Sequence, residues 1–220
     1  MKKLLRDNGL SIVLFLLFAV SFVGHALAGW HQYNEDQREH GQTAAGFTAY
    51  LGTGAFGESV FENWESEFLQ MGLYVVLTSF LFQRGSAESK DPDGGEEVDA
   101  NPRLRRNRPG TPAPVRWGGL AYALYANSLS LALFGLFLFS FVGHVITGAV
   151  AHNEEALTHH QPLLTSLEYL RSAQFWFESF QNWQSEFLSI FAIVLLSVWL
   201  RQYGSPESKP VAAPHSQTGS

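Results

Sequence analysis

The sequence predicts an all-α membrane protein with four transmembrane helices, built from two parallel two-helix repeats. Three observations predict it. Hydrophobic residues make up 46% of the 220 and charged residues 15%, and the apolar residues gather into four runs, 10–29, 68–82, 129–148 and 187–200. Shifting the chain by 119 positions lays residues 8–90 on residues 127–209 without a gap, with about 36 identities in 83 pairs. Twelve of the fourteen Lys and Arg residues flank the runs on one side only.

The first element spans about residues 10–29, long enough for the roughly 20 residues that a helix needs to cross a hydrocarbon core. It ends in Ala26-Leu27-Ala28, a small-x-small pattern that also suits a signal peptidase. Its counterpart "SFVGHVITG" (Ser140 to Gly148) is internal and lacks that pattern. The first copy is therefore expected to remain as a membrane helix, and its apolar run exceeds the 7–15 residues of a leader core. The second and fourth apolar runs are short. Extending them back about 20 residues from the basic flank predicts spans at about 63–83 and 182–201, with the third at about 127–148.

Each repeat (1–90 and 120–209) thus reads as helix, outer loop, helix, and an even number of spans makes the two copies parallel. Residues 91–119, rich in Pro, Gly and charge without periodicity, are expected to be a disordered linker, and 210–220 a disordered tail. Lys2, Lys3 and Arg6, seven basic residues between Arg84 and Arg116, and Arg201 and Lys209 place both termini and the linker in the cytoplasm. Trp30, Trp64, Trp176 and Trp183 then fall at the outer boundary, and Trp117 and Trp199 at the inner one.

The outer loops and the outer ends of the helices beside them hold twelve of the twenty acidic residues against two basic ones, Arg38 and Arg171, and seven of the eight histidines lie on or near that face. Such a field gathers cations and repels anions. The basic linker matches topology and anionic lipid rather than nucleic acid. Absence of cysteine excludes disulfides, thiolate metal sites and Cys nucleophiles. No nucleophile-elbow, phosphate-loop, zinc-protease or dinucleotide signature occurs in its needed context.

His25 and His144 lie about one turn inside the outer ends of the first and third helices. Ionisable groups there face partners in the bundle. Ser21 and Gly29 flank His25 at i−4 and i+4, as Ser140 and Gly148 flank His144, a small stripe that lets a neighbouring helix approach. Depth pairs these histidines with Glu67 and Glu186. Helical spacing puts Asn63, Glu67 and Gln70 on one face, and Asn182, Glu186 and Ser189 on another. The expected site is a cluster of His25, Glu67, His144 and Glu186, with Asn63 and Asn182 as supporting hydrogen-bond partners. Three roles fit it: helix locking by His–Glu hydrogen bonds, a divalent cation or proton site, and a bis-histidine haem. A second constellation pairs Asp36 with His40 and Glu155 with His159 at i, i+4, either as surface ion pairs or as a weak metal site.

The motifs "SFVGH", "NWxSEFL" and "QxGSxESK", present in both repeats, resemble a family of bacterial integral membrane proteins designated a domain of unknown function. The resemblance covers about three quarters of the chain and implies a multi-pass location in the bacterial inner membrane, N-in and C-in. It implies no substrate, cofactor or site residue. The function expected is a structural or interaction role and not an enzyme, with the lipid bilayer and a protein partner or second copy as neighbours. The alternative is a small cation or proton carrier.

Overall fold

The computed structural model describes residues 2–219, so Met1 and Ser220, the ends whose cytoplasmic placement the sequence predicts, lie outside the described residues. Among the described residues the chain is helical, without strands. Four long helices, α1 (Lys2–Glu39), α3 (Gly54–Leu77), α6 (Ser128–Thr158) and α8 (Ala173–Leu196), alternate with four short ones, α2 (Phe47–Tyr50), α4 (Ala113–Trp117), α5 (Gly119–Ala126) and α7 (Ser166–Leu170).

Two helices, α1 and α6, are long and apolar enough to cross a membrane. Only 6% and 11% of their apolar windows are buried within the chain. α3 and α8 match them in order but carry more charge: four glutamates in α3 and two in α8.

The helices differ from the expected spans because helix ends follow backbone capping rather than the edges of apolar runs. α1 is interrupted at Asn8 (φ −132°, ψ 17°), and Asn127, in the same non-helical conformation (φ −116°, ψ 14°), separates α5 from α6. At Asn127 the side chain itself bonds the Ala123 carbonyl, competing with the helical ladder. At the other end α1 continues ten residues past its apolar run. It stops where Gly41 adopts φ +71° and the Gln42 N–H closes on the Gln37 carbonyl at 2.7 Å, the left-handed cap that favours glycine. α6 stops in the same way, with His160 at φ +54° and Gln161 N–H on the Ala156 carbonyl. The connections after α1 and α6 shrink accordingly, because α3 already begins at Gly54 and α8 at Ala173.

The chain divides into two compact units. The first comprises the residues up to Phe61 together with Gly143–Phe175, and the second Glu62–Val142 together with the residues from Trp176 on. In the first unit α3 and α6 run antiparallel in near-backbone contact. A Cβ added at Gly54 would lie 2.3 Å from the Ala151 nitrogen, one at Gly57 2.6 Å from a Thr147 methyl, and one at Gly143 2.6 Å from the Phe61 ring. Small residues permit this approach and larger ones forbid it. Amide clamps fold the connections after α1 and α6: Asn34 exchanges two hydrogen bonds with the Ala45 backbone (3.0 and 2.7 Å), and Asn153 two with Leu164 (both 2.8 Å). Thr165 and Glu168 form a reciprocal cap that starts α7, and those hydrogen bonds hold the Glu168 carboxyl below the ordinary glutamate range.

In the second unit α3 and α8 are joined by polar side chains. Asn182 donates to Glu62, Trp183 Nε1 to Glu65 at 3.1 Å, and Gln70 to Ser189 at 2.8 Å and to the Glu186 carbonyl at 2.6 Å. The linker and the described part of the tail run through turns. The exposed ion pairs Arg84–Asp93 and Arg105–Glu97 and the half-buried pair Lys90–Asp99 tie the linker, and Asn101 caps a 3-10 turn there. Lys209 donates to the His215 and Gln217 carbonyls, and Gly85 N–H to Thr218, so hydrogen bonding to polar side chains replaces the missing apolar core. Burial, then the charge of Arg201, lowers the Lys209 pKa.

The contact at Gly54 predicts a steep size limit. Gly54→Val should destabilise the detergent-solubilised protein by about 1–3 kcal/mol through overpacking, whereas Gly135→Val, where an added Cβ meets nothing within 4 Å, should not. Thermal unfolding of the two variants side by side checks this.

Candidate functional site

Two aromatic nests in the first unit position the histidines. In one, Tyr50 lies against Gly29, where an added Cβ would fall 2.2 Å from the phenol oxygen. Burial raises the Tyr50 pKa, keeping the phenol protonated. Phe56 packs on Tyr50 (5.3 Å between centroids) and stacks on His25 (5.8 Å), and His25 Nε2 meets Ser59 Oγ at 3.1 Å. In the other, Tyr169 lies against Gly148, with an added Cβ 2.5 Å from its ring. Phe175 packs on Tyr169 (5.7 Å) and on His144 (4.7 Å). His144, Tyr169 and Phe175 are all fully buried.

The nests differ in their polar partners. The Tyr169 hydroxyl donates to Glu58 Oε1 at 2.8 Å, and a Glu58 carboxylate oxygen lies within 4.8 Å of a ring nitrogen of His144. The first histidine therefore has a neutral hydroxyl beside it, and the second a carboxylate.

Above Glu58 opens a cavity of about 830 Å³ lined by residues of α1, α3, α6 and the start of α8. Its wall carries Asp36, Glu58, Glu154 and Glu155 with His40, His152 and His159, and among the described residues no Lys or Arg. Glu154 reaches the backbone N–H of Gly54, at the start of α3, at 3.4 Å. Gln42 donates to Thr158 at 2.9 Å across the mouth, where the His40 and His159 rings meet edge to face at 5.5 Å. The arrangement concentrates negative charge in a water-accessible hollow and presents imidazole nitrogens among carboxylates, a setting that attracts cations.

The residues of the expected cluster have these surroundings within their own units. His25 bonds Ser59 rather than a glutamate. Glu67 and Asn63 lie on the exposed face of α3, while Glu65, Ser66 and Gln70 are buried. Helical spacing shows which residues share a face, not which face meets the neighbouring helix. Glu186 is half-buried, offers its main-chain carbonyl to Gln70, and lies near enough to Glu67 for the two carboxylates to repel. Asn182 supports Glu62. In the second constellation His40 Nδ1 bonds the main-chain carbonyl of Asp36 at 2.8 Å, capping α1 instead of forming an ion pair. His144 alone of the expected four stands beside a carboxylate in the first unit, and that carboxylate is Glu58. Tyr50, Tyr169, Phe56 and Phe175 were legible as identities between the repeats; Glu58 aligns with Phe177 and left no such signal.

The chain belongs to the family described as a domain of unknown function, DUF6766, which it matches over residues 1–220. Neither the curated proteins nor the solved structures contain a match to it.

The contrast between the nests predicts unequal costs of removing their hydroxyls. Tyr169→Phe keeps the ring on Gly148 but removes a hydrogen bond to a carboxylate, worth about 1.5–3 kcal/mol. Tyr50→Phe removes no carboxylate contact and should cost less. Melting temperatures of the two variants in one detergent test the order.

Proposed function

We propose that this chain is a multi-pass protein of the bacterial inner membrane, built of two tandem copies of a helix pair, with both ends and the 91–119 linker in the cytoplasm. It acts as a structural or interaction element and not as an enzyme. The observation that carries this reading is where the polar groups of its long helices go. Side chains that are costly in an apolar surround are spent on holding helix to helix, as in Gln70 with Ser189 and Trp183 with Glu65. α3 and α8, too polar to pass as spans alone, have their polar faces turned on one another, which is how such helices are tolerated at membrane depth. Repeat mates meeting each other, His40 with His159 in one unit and Gln70 with Ser189 in the other, support the tandem copies.

A second reading, cation binding from the outer side, is favoured by the acidic, histidine-bearing cavity of the first unit. The two readings are compatible, since a locked bundle also makes a rigid wall for a site.

Topology decides the first reading. Reporters active on one side of the membrane only, fused after Pro109 and at the C-terminal end, should both report cytoplasm, and one inserted at Gly41 should report the outside. An outside signal after Pro109 would overturn the four-span arrangement.

A further inference from the structure

We infer that Glu58 and His144 form a binding site for one divalent transition-metal ion, Zn²⁺ or Mn²⁺, filled through the outer cavity. The inference rests on the cation-binding reading and names its site. A carboxylate oxygen and an imidazole nitrogen lie within 4.8 Å of each other; bonds of about 2.0–2.2 Å to one ion require a separation of at most roughly 4.4 Å, which a small rotation of the Glu58 side chain supplies. Glu58 belongs both to the cavity wall and to this pair, so an ion drawn in by the wall reaches the histidine without crossing an apolar layer. His144 is fully buried, with the Phe175 ring at 4.7 Å fixing one face of its imidazole.

The Tyr169 hydroxyl at 2.8 Å from Glu58 Oε1 is the outer hydrogen bond that orients a ligating carboxylate and leaves its other oxygen to the metal. Tyr169 is itself held over Gly148, where no side chain fits, so this orientation is built into the helix packing. One nitrogen and one oxygen donor, with water completing the shell, suits Zn²⁺ or Mn²⁺; Ca²⁺ prefers six to eight oxygens. His25 is the internal control. It occupies the same place in its own nest, but beside a serine hydroxyl, a poor ligand for a divalent ion.

The test uses the full chain in detergent, stripped with chelator, titrated with ZnCl₂ or MnCl₂ and desalted before metal analysis. One equivalent of Zn²⁺ or Mn²⁺ is expected on the parent protein. Glu58→Gln and His144→Gln should each weaken it at least about 10-fold and Tyr169→Phe about 10-fold, while His25→Gln leaves it unchanged. No retained metal on the parent protein, or unchanged affinity in Glu58→Gln, overturns the site. Asp36→Asn with Glu155→Gln separates site from cavity: if this pair alone abolishes binding and Glu58→Gln does not, the cavity binds cations but not at Glu58 and His144. Should the Glu58 or His144 variants fail to fold, the paramagnetic resonance of Mn²⁺ on the parent protein decides. Coupling to one nitrogen is expected, and an all-oxygen shell refutes the proposal.

Discussion

Backbone resting on backbone, Gly54 of α3 against Ala151 of α6, sets the register on which the first unit depends. The two helices are antiparallel, so each step down one is matched by a step back along the other: Gly54 with Ala151, Gly57 with Thr147, Phe61 with Gly143. Glu58 lies one turn beyond Gly54 on α3, and His144 two turns before Ala151 on α6. The ladder brings them level, and a bulkier residue on any rung would slide or part the helices and dissolve that match. A side chain at Gly148 would likewise expel Tyr169 and, with it, the hydrogen bond to Glu58.

Two segments that align in sequence need not present the same chemistry. Gly29, His25, Tyr50 and Phe56 make a nest with the same ring contacts as Gly148, His144, Tyr169 and Phe175. What separates them is supplied from outside the nest: Ser59 beside His25, Glu58 beside His144. Glu58 is followed at once by Ser59, so a single turn of α3 serves both nests, giving one a neutral partner and the other a charged one.

The helical class, the order of the long helices and the small stripe containing Gly29 and Gly148 were legible in the sequence, because apolar runs and self-alignment report them directly. His144 was legible as a partnered polar residue for the same reason. Its partner was not. Glu67 was chosen by depth counted from the apolar run, but α3 begins nine residues before the expected span, at Gly54, and its added turn carries Glu58, which the apolar run does not reach; Glu58 is half-buried and Glu67 exposed. In the linker, Pro, Gly and charge leave no apolar periodicity to read, whereas ion pairs such as Lys90–Asp99 and caps such as Asn101 give local turns that composition does not report.

The register of α3 on α6 is the claim on which the account stands, and a chain without cysteine allows it to be measured cleanly. In a Gly57→Cys, Thr147→Cys variant the Cβ atoms would stand about 3.0 Å apart, close to the roughly 3.5–4.5 Å of a disulfide. With a protease site placed in the linker, mild oxidation in native membranes should leave the two halves joined on a non-reducing gel and separated by reductant. Halves that part without reductant, while a Gly24→Cys, Thr147→Cys control behaves identically, would contradict the register and the site built upon it.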